Sequence, residues 1–185
     1  APFVDGQAMV VRDDVVRGVM VRGVLPDQEP KVSAVASQML AGSLGALRAG
    51  EFNIVIGSAL ARGFGLRVGD KLTLIAPQGQ VTPAGVLPRL KQFNVVGIFE
   101  AGHFEYDASL AFIDLQDAER MFRQSGPTGL RLKVADMQRA PEVAIDLSTT
   151  LTGRLYLRDW SQQNRNWFAA VQTEKRMMFI ILTLI

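Results

Sequence analysis

The sequence contains no cysteine, and its one histidine is His103. Disulfide bridges and thiolate metal sites are therefore excluded. A metal site built from two or more imidazoles is excluded as well, because a second histidine is missing. The lack of disulfides is compatible with a cytosolic protein and also with an exported one that folds without them.

A marked excess of one charge sign is also missing. The 185 residues include 20 Lys and Arg against 18 Asp and Glu, which gives a formal net charge of +2. The charges alternate in sign along the chain and form no basic stripe, so a nucleic-acid partner is not expected. Hydrophobic residues make up 48% of the chain, enough for the core of one large domain or two small ones.

The apolar run at the C-terminal end is too short to cross a bilayer, since a spanning helix needs about twenty apolar residues. Residues 177–185 contain one polar side chain, Thr183. An ordinary amphipathic helix would repeat its apolar residues at every third or fourth position, whereas this run is apolar all round. The segment 171–185 is therefore predicted to be the start of a transmembrane helix, with Lys175 and Arg176 at the membrane interface.

Hydrophobic periodicity and turn residues predict an α+β chain. Strands are expected at 8–11, 15–24, 53–56, 72–75, 93–99, 108–113, 130–134 and 154–157. Helices are expected at 33–40, 58–64, 115–122 and 140–151, and residues 101–107 are expected to form a loop. Asp114 is the expected N-cap of the third helix, and Gly65 the left-handed C-terminal cap of the second.

The order of these elements indicates two subdomains. The β-α-β pattern in the last third is predicted to complete the sheet that the N-terminal strands begin. One subdomain would then be a discontinuous α/β unit formed by 1–48 and 125–170. The other would be a smaller, mainly β unit inserted between them, at 49–124.

The stretch between the strands at 72–75 and 93–99 is far longer than the two to five residues that close most hairpins. Its prolines stiffen the backbone and remove hydrogen-bond donors, and its glycines permit turns. It carries no charge before Arg89, although a disordered loop tends to be more charged. Two interpretations follow: a protruding, semi-rigid arm at 77–89 whose apolar side chains contact a partner protein, or a mobile hairpin tip.

No nucleotide site is predicted. The glycines between Gly63 and Gly69 superficially resemble a phosphate-binding loop, which needs four residues between its glycines and a lysine followed by Ser or Thr. Here three residues separate Gly65 from Gly69, and Leu72 follows Lys71. A helix cap followed by a turn explains the stretch better.

His103, Glu105 and Asp107 are the residues closest to a metal or acid–base cluster. One histidine with two carboxylates in an expected loop is more typical of solvated side chains. No metal, no cofactor and no catalytic residue is therefore predicted.

Four short motifs together carry a resemblance to a known family. They are Ile54–Ala61, Leu66–Leu74, Phe93–Phe99 and Glu174–Met178. In this order they resemble the periplasmic core domain of MacB-type ABC transporter permeases, and within that group the lipoprotein-releasing (Lol) permease subunits of the LolC and LolE type. The resemblance covers essentially the whole chain. It implies a porter-like subdomain at 1–48 and 125–170, and an inserted Sabre-like subdomain at 49–124 that bears a protruding β-hairpin arm.

The resemblance also implies a function in the bacterial inner membrane, with this domain in the periplasm. In the family, lipoproteins leave the membrane and pass to the periplasmic carrier LolA, driven by ATP hydrolysis in a separate cytoplasmic subunit. The domain would therefore be non-catalytic. Its partners would be LolA, a paired permease subunit, the ATPase subunit, the lipoprotein substrates, and the membrane through flanking helices.

Within the family, the LolC-type subunit captures LolA with a hairpin arm, and Thr82–Pro88 is similar to that arm. Lys91 lies at the place of a pad that also contacts the carrier. The implied arm contacts are Pro77, Val81, Thr82, Pro83, Ala84, Gly85, Val86, Leu87, Pro88 and Arg89.

Three departures from the family pattern leave the subunit type open. The arm is one residue shorter before Thr82, Ala84 stands where a larger apolar residue is expected, and Val24–Glu29 is more similar to LolE-type subunits. The chain could thus be LolC-like, LolE-like or a hybrid that serves both roles. Two other functions are the alternatives: a MacB-like efflux permease domain that docks a membrane-fusion adaptor, and an enzyme domain that uses His103, Glu105 and Asp107. The long arm argues against efflux, and the missing nucleophile argues against the enzyme.

Overall fold

The computed structural model describes residues 1–12, 15–82, 85–136, 139–151, 156–159, 173–174, 176–179 and 181–183, with the backbone alone for 78–82 and 85–87. The chain divides into two compact units, Ala1–Lys133 and Val134–Ile185. The strands of the first unit are β1 (Pro2–Arg12), β2 (Val15–Val24), β3 (Met39–Gly42), β4 (Asn53–Gly57), β5 (Lys71–Thr82), β6 (Gly85–Phe99), β7 (Leu110–Asp114) and β8 (Gly129–Leu130). Its α-helices are α1 (Glu29–Val32), α2 (Ser58–Phe64), α3 (Phe104–Ser109) and α4 (Leu115–Phe122). The second unit contains α5 (Ala140–Thr150).

Six strands of the first unit form a closed ring. Each pairs with the next in the order β1, β2, β7, β4, β6, β5 and back to β1. The β2–β7 and β4–β6 pairs are parallel, and the other four pairs are antiparallel. Two short strands are attached to the ring, β3 to β6 and β8 to β1. Closure gives each ring strand a neighbour on both sides along part of its length, as in a β-barrel.

Every ring strand contributes to one hydrophobic core. Leu60 of α2 and Ala118 of α4 join the same cluster and are fully buried. Burial of a leucine side chain such as that of Leu60 stabilises the fold by about 1.5–3 kcal/mol. Fully buried representatives of the six strands are Val10, Val21, Ile54, Leu74, Phe93 and Ile113.

Helices α2 and α4 begin and end where the sequence predicts. Gly65 follows α2 with φ of 61°, in the left-handed region, and its N–H donates to the carbonyls of Ala61 and Arg62. At the start of α4, the Asp114 carboxylate accepts a hydrogen bond of 2.8 Å from the N–H of Gln116. Both predicted caps are confirmed.

Three expected local structures differ from the observed ones. The helix predicted at 33–40 is confirmed only as a short 3-10 helix at Val35–Gln38, because Met39–Gly42 pairs with β6 instead. Tertiary pairing thus outweighs helix propensity. Residues 101–107 are not all loop, since α3 begins at Phe104. The strand expected at 130–134 ends at Leu130, and Leu132 is 65% exposed, so no sheet face covers it.

The predicted subdomains are not separate sheets. Strands β1 and β2, from the segment 1–48, lie in the same ring as β4 to β7, from the segment 49–124. The division into a porter-like subdomain at 1–48 and 125–170 and an inserted Sabre-like one at 49–124 stays a prediction.

The predicted membrane segment 171–185 lies partly outside the described residues. Those that are described, 173–174, 176–179 and 181–183, are helical and exposed. Among the helices that the structure describes, none has the length and hydropathy that a membrane span requires.

Candidate functional site

β5 and β6 continue beyond the ring as a two-stranded hairpin. Strand β1 pairs with β5 only at Thr73–Ile75, and β4 pairs with β6 only from Asn94 onward. Over the described residues from Ala76 to Thr82, β5 pairs with β6 and with no third strand. This outer part of the hairpin is the segment that the sequence analysis assigns to the arm.

The hairpin ladder is interrupted at Pro77 and Pro88. Pairing is regular as far as Ala76 opposite Arg89 and resumes at Gln80 opposite Leu87. Residues 77–79 of β5, which include Pro77, therefore stand opposite a single residue of β6, Pro88. Proline has no N–H to donate, so an irregular register is expected at this point.

The structure places the predicted arm residues as follows. Pro77 and Pro88 are exposed, and Arg89 is half-buried. Near the tip, Val81 stands opposite Val86 and Thr82 opposite Gly85 in the backbone ladder. Pro83 and Ala84 lie outside the described residues.

Arg89 joins the base of the hairpin to helix α4. Its Nη1 donates a hydrogen bond of 3.0 Å to the carbonyl oxygen of Arg120. That carbonyl lies in the last turn of α4, where backbone oxygens have no partner within the helix. A cation at a helix C-terminus also interacts favourably with the helix dipole. Arg89 therefore holds β6 against α4.

Lys91, the predicted pad residue, is exposed and lies over an aromatic ring. Its Nζ is 3.5 Å from the centroid of the Phe52 ring. Phe52 in turn contacts Phe93 edge-on, with 5.7 Å between ring centroids. A cation–π contact at an exposed site contributes about 0.5–1 kcal/mol. The aromatic ring of Phe52 thus restrains the Lys91 ammonium while leaving it accessible.

Asp117 in α4 positions the loop that carries Phe52. Its side chain is fully buried and accepts hydrogen bonds from the N–H groups of Gly50, at 2.9 Å, and Phe52, at 3.1 Å. Phe52 has a φ of 52°, a conformation that costs energy in a non-glycine residue. The Asp117 hydrogen bonds help to hold it. The Arg120 guanidinium lies 3.4 Å from the same carboxylate.

Sequence reasoning missed Asp117, Phe52 and Arg120. One signal was present, because Asp117 follows the cap residue Asp114 by three positions, the spacing of a capping box. That pattern predicts a carboxylate that bonds the helix terminus. Here the carboxylate instead bonds a loop distant in sequence, which only the tertiary structure reveals.

His103, Glu105 and Asp107 do not form a site. Asp107 is buried and accepts a hydrogen bond of 2.7 Å from the N–H of Ala101, whereas His103 and Glu105 are exposed. Within the described part of the chain, no three His, Cys, Asp or Glu residues are placed to hold a metal ion. The role of Asp107 is to close the turn before α3.

The family model for the MacB-like periplasmic core domain matches residues 1–150. The chain belongs to this family. Two curated relatives are lipoprotein-releasing system transmembrane proteins LolC, from Neisseria meningitidis serogroup B and from Xylella fastidiosa. The first is 48% identical over 187 residues and the second 40% identical over 185 residues, and each match covers 100% of this chain and 45% of the relative.

These relatives make the chain a MacB-like domain of the LolC/LolE type, as the four sequence motifs predict. It spans about half the length of the curated relatives that it matches. Domains of this type are non-catalytic components of transporters.

The fold is shared with a solved structure of low sequence identity. The extracellular domain of the noncanonic ABC-type transporter YknZ from Gram-positive bacteria matches this MacB-like domain with a TM-score of 0.52 at 10% identity. The match covers 77% of this chain and 68% of that chain. The α+β class and the MacB-like fold are therefore confirmed.

Proposed function

We propose that this domain is the periplasmic part of a membrane subunit that releases lipoproteins from the bacterial inner membrane and transfers them to the carrier LolA. The β5–β6 hairpin, with the arm at 77–89, captures the carrier. The observation that carries the proposal is the combination of LolC relatives over the whole chain with a hairpin that continues past the ring.

In this proposal the apolar residues near the hairpin tip make the main contacts. Val81, Val86 and Leu87 bury their side chains against LolA, and a few such central residues dominate the binding energy of an interface. Thr82, Pro83, Ala84 and Gly85 are further proposed contacts with the carrier, and the prolines lower the conformational entropy that binding removes.

The base of the hairpin supports the tip. Arg89 donates to α4 and Lys91 lies over Phe52, so β6 is held to α4 and to the loop that carries Phe52 close to where the arm begins. The proposal therefore assigns Arg89 to anchoring the arm in addition to its predicted carrier contact. Lys91, whose ammonium is accessible, is the pad residue that meets the carrier.

ATP hydrolysis takes place in a separate cytoplasmic subunit, and a paired permease subunit completes the transporter. The domain itself has no catalytic role, and flanking helices, of which 171–185 is one, anchor it in the membrane. The relatives named LolC favour a LolC-like role over an efflux role.

The test is a titration of the purified chain with LolA. Val86→Glu and Leu87→Glu should each weaken binding by about tenfold or more, because burial of one such side chain contributes about 1.5–3 kcal/mol. Pro83→Gly and Pro88→Gly should weaken it less. The matched control is Val68→Glu, a change of another exposed valine (45%) that lies in the turn before β5.

Thermal melts accompany each titration. The arm variants should melt within a few degrees of the unchanged protein, because the outer hairpin pairs only with itself in the described residues. Unchanged LolA affinity of Leu87→Glu would contradict the capture role, and so would equal losses for Val68→Glu and Val86→Glu.

A further inference from the structure

A second candidate site is a pocket of about 400 Å³ in the first unit, lined by none of the arm residues. Its apolar part includes the buried side chains of Val35, Phe99 and Phe112. The two phenylalanine rings meet edge-on, with 5.4 Å between centroids. This volume lies within the range of small-ligand pockets, about 300–1,000 Å³.

Two arginines, Arg22 and Arg131, also line the pocket. Arg22 forms a bidentate pair with Asp5, with distances of 2.7 and 2.8 Å. Arg131 donates a hydrogen bond of 2.9 Å to Glu29, which is 1% exposed. These pairs fix both guanidinium groups in place, as a binding site requires.

The carboxylates that pair with the two arginines are not part of the pocket wall. Neither Asp5 nor Glu29 lines the pocket, and its lining residues include no other Asp or Glu. The residues that line the pocket therefore include two arginines, each paired with a carboxylate outside the lining, and no acidic residue. Guanidinium groups retain further N–H donors after one such pair has formed, and they match carboxylates in geometry.

The charge of Arg22 disfavours the charged form of Arg131. Burial, and after it the charge of Arg22, lowers the pKa of Arg131 below its ordinary value. A bound anion would remove part of this repulsion. The hydroxyl-bearing residues Ser33, Tyr106 and Ser109 line the same pocket and offer hydrogen bonds to such a group.

We propose that this pocket binds a carboxylate carried on a compact apolar group. The carboxylate meets Arg22 and Arg131, and the apolar group packs against Val35, Phe99 and Phe112. An acidic side chain beside an apolar residue of a peptide has this chemistry, and so does a short fatty acid. The site is separate from the carrier-capturing arm and does not depend on it.

The experiment uses amide NMR spectra of the chain during titration with defined probes. Octanoate represents the fatty acid, and acetyl-Leu-Glu-amide represents the peptide. Octanol and acetyl-Leu-Gln-amide are the uncharged counterparts. At least one acid should shift the backbone signals of Ser33–Gln38 and Leu110–Phe112, and its uncharged counterpart should bind about fivefold more weakly or worse. Which acid binds identifies the source of the carboxylate.

Charge variants at the pocket rim provide the second part of the test. Ala34 lines the pocket and is exposed, so Ala34→Glu adds an anion without breaking a buried pair, and Ala34→Gln is the control of matched size. Ala34→Glu should weaken binding of the acid by about fivefold, and Ala34→Gln by less than about twofold. Tyr106→Glu against Tyr106→Gln, at a half-exposed residue, is a second pair should either Ala34 variant misfold.

Three results would overturn the proposal. The first is that neither acid shifts the pocket signals. The second is that the uncharged counterparts bind as tightly as the acids. The third is that the glutamate and glutamine variants bind the acid equally in spectra that remain folded.

Discussion

Arg89 in β6 donates a hydrogen bond of 3.0 Å from its guanidinium to the carbonyl oxygen of Arg120 in the last turn of α4. Replacing Arg89 by Gln removes this link between the hairpin base and the helix. We expect the free energy of unfolding to fall by about 0.5–1.5 kcal/mol, the usual contribution of one hydrogen bond. Urea denaturation measures this loss, and Arg123→Gln, at the exposed arginine that directly follows α4, is the control. An equal effect of both changes would mean that the hydrogen bond contributes nothing specific.

Asp117 should be the most sensitive polar residue near the hairpin base. Asp117→Ala leaves the N–H groups of Gly50 and Phe52 without their buried acceptor. A hydrogen bond to a charged group contributes about 1.5–3 kcal/mol, so we expect the free energy of unfolding to fall by about 2 kcal/mol or more. Asp27→Ala, at an exposed aspartate, should change stability by less than about 0.5 kcal/mol. A small effect of Asp117→Ala in the same denaturation experiment would contradict the positioning role.

The stability of the protein should depend on pH through the carboxyl group of Asp114. Burial, outweighing the hydrogen bond from Gln116, raises the pKa of the Asp114 carboxyl in the folded protein. The folded state then binds the proton more tightly than the unfolded state, so this contribution to stability is present below the ordinary carboxyl pKa and is lost as pH rises through the raised pKa. Asp114→Asn keeps a capping side chain and removes the titration. Relative to the unchanged protein, it should therefore gain stability as pH rises from about 3 to about 7.

A second substitution separates the cap from the charge. Asp114→Ala also removes the hydrogen bond to Gln116 and should cost about 0.5–2 kcal/mol relative to Asp114→Asn at every pH. Denaturant melts at several pH values measure both effects. If the difference in free energy of unfolding between Asp114→Asn and the unchanged protein stayed constant from about pH 3 to about pH 7, the raised pKa would be contradicted.

Gly57 is required for close packing at the junction of β4 and α2. A Cβ atom there would lie 2.3 Å from the carbonyl oxygen of Asp107, and backbone cannot move aside as a side chain can. Gly57→Ala should therefore destabilise the protein by about 1–3 kcal/mol, the usual effect of overpacking. Gly18→Ala is the matched control, since a Cβ there meets nothing within 4 Å. Thermal melts compare the two, and similar melting temperatures would contradict the packing argument.

The sequence predicts the local features of this fold well where one residue determines them. Gly65 ends α2 because its backbone tolerates positive φ, and Asp114 starts α4 because its side chain bonds the free N–H of Gln116. Such caps depend on neighbours in sequence alone. The family motifs add the MacB-like fold, which the comparisons confirm.

Features that depend on distant partners were not predictable in the same way. Met39–Gly42 becomes a strand because β6 offers it an edge, and the ring closes because β2 finds β7 far along the chain. At the candidate site, composition left a protruding arm and a mobile hairpin tip as alternatives for 77–89, and the family resemblance implied the arm. The restraint of its base by Asp117 and Phe52 follows from contacts between elements distant in sequence.

The closed ring of strands can form only after most of the chain has been synthesised. Strand β2 ends at Val24, but its parallel neighbour β7 begins only at Leu110. While the ribosome makes the intervening residues, the β1–β2 hairpin exposes an unpaired edge that could pair with another chain. The native ring cannot close until Asp114 has emerged, and pairing over such a separation slows folding. A nascent chain of this protein should therefore depend on protection, by a chaperone or by rapid export, until its seventh strand is complete.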